Sequence, residues 1–282
     1  MEKLHLVIDL AKCVGCFNCM MACKDEHVDN KWLPYTDEQQ KHDQKWILTD
    51  KHERGRVPFT DMCFVTRLCQ HCEDAPCENA RPDAVYRRRD GIVLLDAQKS
   101  RGDKSLVDAC PYGMISWNDE LGAAQKCTMC AHLIDDGWKE PRCVQACPLR
   151  AMSVVLCEDS EFEKLIEDWK LKPLTDGSNS PRVMYRNMYK YTTCFIAGAL
   201  AFKEKDGTER AAAGAVVKLK MNGEPLTEVT TDFFSEFKID RVPKNSGTFE
   251  LICDMDGYKR IEKTVDVGEE SLCLTVMYFE KN

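Results

Sequence analysis

The chain has 282 residues, enough for one to three domains. Its 39 basic and 47 acidic residues leave a net charge of −8, which disfavours a nucleic-acid binder that works through clustered positive charge. Seventeen cysteines are far more than average, and the odd count argues against a secreted disulfide scaffold and for thiols kept for metal in a reducing, anaerobic cytoplasm.

From the N-terminus, Leu4, Leu6 and Ile8 alternate with His5, Val7 and Asp9, which predicts a short strand. Asp9 interrupts this apolar run too early for an export signal. Next comes Cys13-Val-Gly-Cys16-Phe-Asn-Cys19-Met-Met-Ala-Cys23. This C-x2-C-x2-C-x3-C spacing brings three thiolates around one iron–sulfur cube and sends the fourth to a neighbouring cube, as in two-cluster ferredoxins. It demands a distant partner run. Cys127-Thr-Met-Cys130, twelve residues, then Cys143-Val-Gln-Ala-Cys147-Pro148 supplies one. The expected sets are Cys13, Cys16, Cys19 with Cys147, and Cys127, Cys130, Cys143 with Cys23. A disulfide or zinc framework is the rival, but zinc sites do not usually interleave two quartets with a C-x3-C-P ending.

Residues 24–62 carry many charges among Trp32, Tyr35 and Trp46, with little periodicity. They read either as a covering loop or as a docking segment anchored by exposed aromatics. Cys69-Gln-His-Cys72-Glu-Asp-Ala-Pro-Cys77 opens a second module, and residues 84–96 read as a hairpin turning at Asp90-Gly91. Arg87, Arg88 and Arg89 are expected on its solvated side. Cys110-Pro-Tyr-Gly113 and a short strand at 114–117 follow.

The ferredoxin repeat would place further thiols at 81, 100, 103 and 106, where Arg81, Ser100, Asp103 and Leu106 stand. By the cross-ligation rule these four belong to one site, lost together, while Cys69, Cys72, Cys77 and Cys110 keep theirs. The expectation is three [4Fe–4S] clusters on twelve cysteines. Cys63, Cys157, Cys194, Cys253 and Cys273 are left as small buried hydrophobes. His71, between two ligands, is expected to pack against a cluster rather than ligate it. Lys126, beside Cys127, either offsets cluster charge or is simply solvated. Gly15 and Gly113 would let backbone approach a sulfide, and Thr128 and Met129 would supply amide donors to sulfur.

Residues 151–156 read as a strand paired with 4–9. Phe162, Leu165, Ile166 and Trp169 mark an amphipathic helix stopped by Pro173, and residues 175–181 read as a linker. Seven strands are expected beyond it, at 193–202, 215–221, 226–231, 236–239, 248–253, 259–265 and 272–279, with alternation in Phe249/Leu251/Cys253 and Leu272/Leu274/Val276/Tyr278. The uncharged stretch 191–202 is short of the about 20 residues a membrane span needs. The fold class expected is α+β: a ferredoxin-like multi-cluster domain at 1–158 (residues 1–28 with 126–158, and 60–125 inserted), a helix and linker at 159–190, and an all-β sandwich of immunoglobulin or prealbumin type at 191–282. The tail shows no catalytic constellation.

The four-run cysteine layout of residues 1–157 resembles the iron–sulfur electron-transfer subunits of the dimethyl-sulfoxide-reductase family of molybdenum enzymes. Those subunits commonly carry four clusters, so the loss at Arg81, Ser100, Asp103 and Leu106 is a departure. That loss, Glu26-His27, the run Gln125-Lys126-Cys127-Thr-Met-Cys130-Ala-His132-Leu133 and the C-terminal strands resemble the transhydroxylase and catechol-dehydroxylase branch of the family. The resemblance implies a large partner subunit that holds a molybdenum bis-pterin guanine dinucleotide and acts on aromatic hydroxyl groups. It leaves this chain without catalytic residues, placed in the cytoplasm or exported together with a folded partner. A subunit of another molybdenum reductase, a free-standing polyferredoxin carrier, and a structural subunit whose clusters never turn over are the alternatives.

Overall fold

The computed structural model describes residues 1–204 and 206–282, which form two compact units: residues 1–51 with 64–188, and residues 52–63 with 189–282. In the first unit the chain runs β1 (Lys3–Asp9), α1 (Asn18–His27), β2 (Ile47–Arg56), β3 (Phe59–Leu68), α2 (Pro76–Ala80), β4 (Val85–Arg87), β5 (Val93–Leu95), α3 (Ser105–Asp108), β6 (Ile115–Asn118) and β7 (Ala123–Lys126). It continues through α4 (Ala131–Asp135), α5 (Arg142–Gln145), β8 (Met152–Cys157), α6 (Asp159–Asp168) and β9 (Val183–Arg186). Residues 52–63, the tip of the β2–β3 hairpin, are counted with the second unit.

Strand β1 is buried along nearly its whole length because it is flanked on both edges. Antiparallel β8 pairs from Lys3↔Cys157 to Ile8↔Met152, and parallel β9 from Leu6↔Val183 to Asp9↔Arg186. Helix α6 covers one face, burying Phe162 with Val7, Cys157, Leu171 and Met184. A capping box between Glu158 and Glu161 starts it. Its end is set by Lys170 at φ 52, with Leu171 N donating to Ile166 O at 2.9 Å, a Schellman ending that precedes Pro173. The smaller pairs β4–β5 and β6–β7 are antiparallel ribbons between the cysteine runs.

Several expectations are corrected here. Residues 24–62 are not one loop. Helix α1 runs on to His27, and the hairpin β2–β3 begins at Ile47, its pattern masked by the charges of Lys51, Glu53, Arg54 and Arg56. Trp46 is fully buried against His27, so it is no exposed anchor. The segment 159–190 holds β9 as well as helix and linker. Arg87 and Arg88 are not simply solvated: Arg87 donates to Cys72 O at 2.6 Å and Glu78 Oε2 at 2.7 Å, and Arg88 to Asp135 at 2.6 Å. Only Arg89 of the three is exposed.

The second unit runs α7 (Tyr189–Thr192), β10 (Thr193–Lys203), β11 (Glu209–Ala211), β12 (Val216–Met221), β13 (Glu224–Thr230), β14 (Glu236–Pro243), β15 (Gly247–Asp254), β16 (Ile261–Val267), β17 (Leu272–Cys273) and β18 (Met277–Phe279). One sheet is ordered β11-β10-β14 with β17 and β18 also on β10; the other is β13-β12-β15-β16. They enclose one core, to which Ile196, Val217, Leu219, Phe237, Leu251 and Val265 contribute. Central β10 is apolar on both faces, because Phe195 and Ala197 pack away from that core with Cys273 and Phe59. Gly198 is needed there: a Cβ would stand 3.0 Å from the Phe237 ring. The expected alternation from Leu272 to Tyr278 breaks between β17 and β18, so Leu274, Met277 and Phe279 are buried while Val276 and Tyr278 are exposed.

Candidate metal centres

All seventeen cysteines are free thiols, and Cys63, Cys157, Cys194, Cys253 and Cys273 are buried. The twelve candidate ligands gather in three places. Cys13, Cys16, Cys19 and Cys147 line one cavity with Ile8 and Met152. Cys23 lies in the electrostatic reach of Cys127 and Cys130, and Cys143 in that of Cys130, Cys127 and Cys23. Cys72 is similarly coupled to Cys69, Cys110 and Cys77. The interleaving has a local cause. Cys19 and Cys23 are one turn apart on α1, and Cys143 and Cys147 one turn apart through α5, so each helix serves two neighbouring places.

The loops between thiols turn their amides inward. Gly15 (φ 66), Phe17 (φ 62), His71 (φ 45), Gly113 (φ 64), Met129 (φ 53), Cys130 (φ 50) and Arg150 (φ 49) all take left-handed backbone beside a ligand. Alternating hands in this way makes concave N–H nests of the kind that hold iron–sulfur groups. Met129 N donates to Cys127 Sγ at 3.3 Å, Met114 N to Cys110 Sγ at 3.4 Å and Ala151 N to Cys147 Sγ at 3.2 Å. Gly15 is held to glycine by its φ and by Phe64, whose ring a Cβ would meet at 2.3 Å.

Burial pushes the Cys19 thiol up to about 11, with its cysteine neighbours adding to the shift, and Cys72, Cys127 and Cys130 up to about 12. Cys23 and Cys143, fully enclosed, lie well above the ordinary thiol range for the same reason. Such thiols give up their protons when a cation replaces them. Soft sulfur donors in fours with amides aimed at sulfur fit iron–sulfur cubes.

Two polar side chains prove more deeply built in than their neighbourhood in the sequence suggested. Lys126 is not solvated: it is 2% exposed, with Nζ donating to Cys69 Sγ at 3.4 Å, to Cys127 O at 3.2 Å and to Val93 O. Burial opposes its charge, but Cys69, Cys77 and Cys127 more than reverse that, so its pKa is raised. His71 is enclosed, accepting Val93 N–H on Nδ1 at 3.1 Å, and burial holds it neutral. Its Nε2 then carries the proton and has no partner among the described residues. Glu26 and His132, from the two segments that carried the resemblance, meet at 3.0 Å. Beside them Trp32 stacks on His132 at 4.3 Å, and His27 lies 4.0 Å from Cys130 Sγ.

The fourth set of positions is filled differently. Arg81 follows the last residue of α2, one turn after Cys77, and forms an ion pair with Asp103 and another with Asp83 at 2.9 Å. Ser100 and Leu106 are fully buried.

The model of the 4Fe-4S dicluster domain matches residues 60–156. The chain is 38% identical, over 95% of its length and 98% of the relative's, to the pyrogallol hydroxytransferase small subunit of Pelobacter acidigallici. It is 29% identical to the arsenate respiratory reductase iron–sulfur subunit of Shewanella sp. (strain ANA-3), over 68% of this chain and all of that one. To the thiosulfate reductase electron transfer subunit of Salmonella typhi it is 31% identical, over 63% of this chain and 88% of that one. The chain belongs to the iron–sulfur electron-transfer subunits of the dimethyl-sulfoxide-reductase family of molybdenum enzymes. This iron–sulfur subunit is α+β and carries [4Fe–4S] clusters. Among its described residues no helix is long and apolar enough to cross a membrane.

Proposed function

We propose that the chain holds three [4Fe–4S] clusters, on Cys13, Cys16, Cys19 and Cys147; on Cys127, Cys130, Cys143 and Cys23; and on Cys69, Cys72, Cys77 and Cys110. The observation that carries the count is the joint closure of the fourth set, where Arg81 pairs with Asp103 and Leu106 is core. The partner is a large subunit with a molybdenum bis-pterin guanine dinucleotide, acting on aromatic hydroxyl groups by transhydroxylation or reductive dehydroxylation. The near-full-length likeness to a pyrogallol hydroxytransferase small subunit supports this. When bound, the clusters supply one-electron carriage. The residues of this chain hold them, direct amides at their sulfurs through Met114, Met129 and Ala151, and exclude water with Ile8, Met152 and Trp46. The C-terminal strands form a sandwich of immunoglobulin or prealbumin type that serves docking, and the complex works in a reducing cytoplasm or is exported together with its folded partner.

Co-expression with a molybdenum-binding large subunit tests this reading. The expected product is a complex with molybdenum on the large chain and about twelve irons on this one, turning over a polyhydroxylated benzene. A chain that elutes alone and molybdenum-free is a carrier, and about sixteen irons would overturn the count.

A further inference from the structure

A buried ammonium is costly unless its charge is answered, and the worst case is a fixed cation with no anion at hand. Lys126 stands in that position in the protein alone. Strand β7 is buried throughout, so the side chain cannot reach water. The three N–H bonds of Nζ are all committed: one to the Cys69 sulfur and two to the carbonyls of Val93 and Cys127, none to a carboxylate. Val93 is itself pinned, because its N–H is held by His71 from the loop between Cys69 and Cys72. The ammonium is therefore held in place by two cysteine runs and the strand between them.

What answers its charge is sulfur that becomes anionic on binding iron. The contacts are unequal. Lys126 touches the Cys69 group through sulfur itself, but the Cys127 group only through a peptide oxygen. A cation and an N–H donor at a ligand sulfur stabilise the reduced, more negative state of a cluster, and the effect falls with distance.

We propose that Lys126 is a positioning residue for electrons: it raises the reduction potential of the Cys69, Cys72, Cys77, Cys110 cluster relative to its Cys127, Cys130, Cys143, Cys23 neighbour, so that an electron shared by the two rests on the former. This rests on the assignment of those two quartets to two clusters.

The test uses the full chain in complex with its large subunit, by redox titration followed by electron paramagnetic resonance. Cys72→Ser and Cys130→Ser first assign the two signals, each removing about four irons; if neither removes iron, the ligand assignment fails, separately from the proposal. With the assignment in hand, Lys126→Met removes charge and donor at similar length. At a fixed potential it is expected to lower the reduced-to-oxidised ratio of the Cys69 cluster about tenfold, equivalent to about 59 mV for one electron, and to move the other cluster less. Lys126→Arg restores most of the ratio. Equal shifts in both clusters, a larger shift in the Cys127 cluster, or no shift overturns the proposal. If Lys126→Met loses iron, the site that empties is the readout. Loss confined to the Cys69 signal upholds the counter-charge, and loss of the Cys127 signal, alone or with the other, overturns it.

Discussion

Helices α1 and α2 make the same turn and end in opposite chemistry. On α1 the residue one turn after Cys19 is Cys23, enclosed near Cys127 and Cys130. One turn after Cys77, at the end of α2, stands Arg81, which reaches solvent and pairs with Asp103 and Asp83. The same helical turn carries an ion-paired arginine where α1 carries a cysteine. On the assignment proposed above, each helical turn sends its fourth thiolate to the neighbouring place, so one site can be closed without taking a ligand from the site beside it. On the same proposal, the Arg81–Asp103 pair and the buried Leu106 occupy the positions a fourth set of thiolates would take.

The strongest way to break this comparison is to remove the equivalent residues. Cys23→Ala should empty the cluster of Cys127, Cys130 and Cys143, taking iron from about twelve to about eight per chain and leaving the Cys13 signal largely intact. Arg81→Ala should leave iron unchanged. A perturbed Cys13 signal alone after Cys23→Ala would show that the interleaving is wrong.

Leu106 sharpens the contrast at smaller scale. If it is true core, Leu106→Ala costs about 2–5 kcal/mol in urea unfolding of the apoprotein, with the iron content of the holoprotein unchanged. Iron loss on that substitution would mean that the closed position still supports a cluster.

The smallest effect concerns pH. Hydrogen bonds from Ser105 and Arg81 hold the Asp103 carboxylate below its usual value. A depressed carboxylate contributes stability that is present above its unfolded pKa of about 3.9 and is lost as pH falls through the lower folded value. The closing pair should thus be indifferent between pH 5 and 8 and loosen only in acid. Asp103→Asn at neutral pH should imitate that state with a barely measurable change in melting temperature, since both side chains meet solvent. A large drop at neutral pH would mark the pair as a buried strut.

Much of the first unit could be read from cysteine spacing, because spacing is a geometric constraint that survives in one dimension: x3 between thiols is one helical turn wherever it occurs. The pairing of β1 with β8 could be read from the ferredoxin-like module, in which the strands before and after the two cysteine runs meet. Strand β9 could not, since four residues after a Ser/Asn/Pro stretch carry no periodicity, and its partner lies at the other end of the unit. Charged residues hid β2, whose strand character comes from pairing rather than from its own apolar pattern. The slip between β17 and β18 shows how a one-residue irregularity exchanges buried and exposed sides without leaving a mark in composition. For Lys126, proximity to Cys127 gave the possibility of charge compensation, but its complete burial depends on Val93 and Cys69, far along the chain.

The place of β1 in the middle of its sheet has a consequence for how the protein is made. It leaves the ribosome well before both its neighbours, β8 and β9, with Ile8 paired to Met152 on one side and to Tyr185 on the other. At about 5–20 residues per second the earliest thiols, Cys13 to Cys23, travel for on the order of ten seconds before the strands that complete their surroundings exist. The sheet around β1, next to the first cysteine run, therefore closes only once the chain has been made through β9.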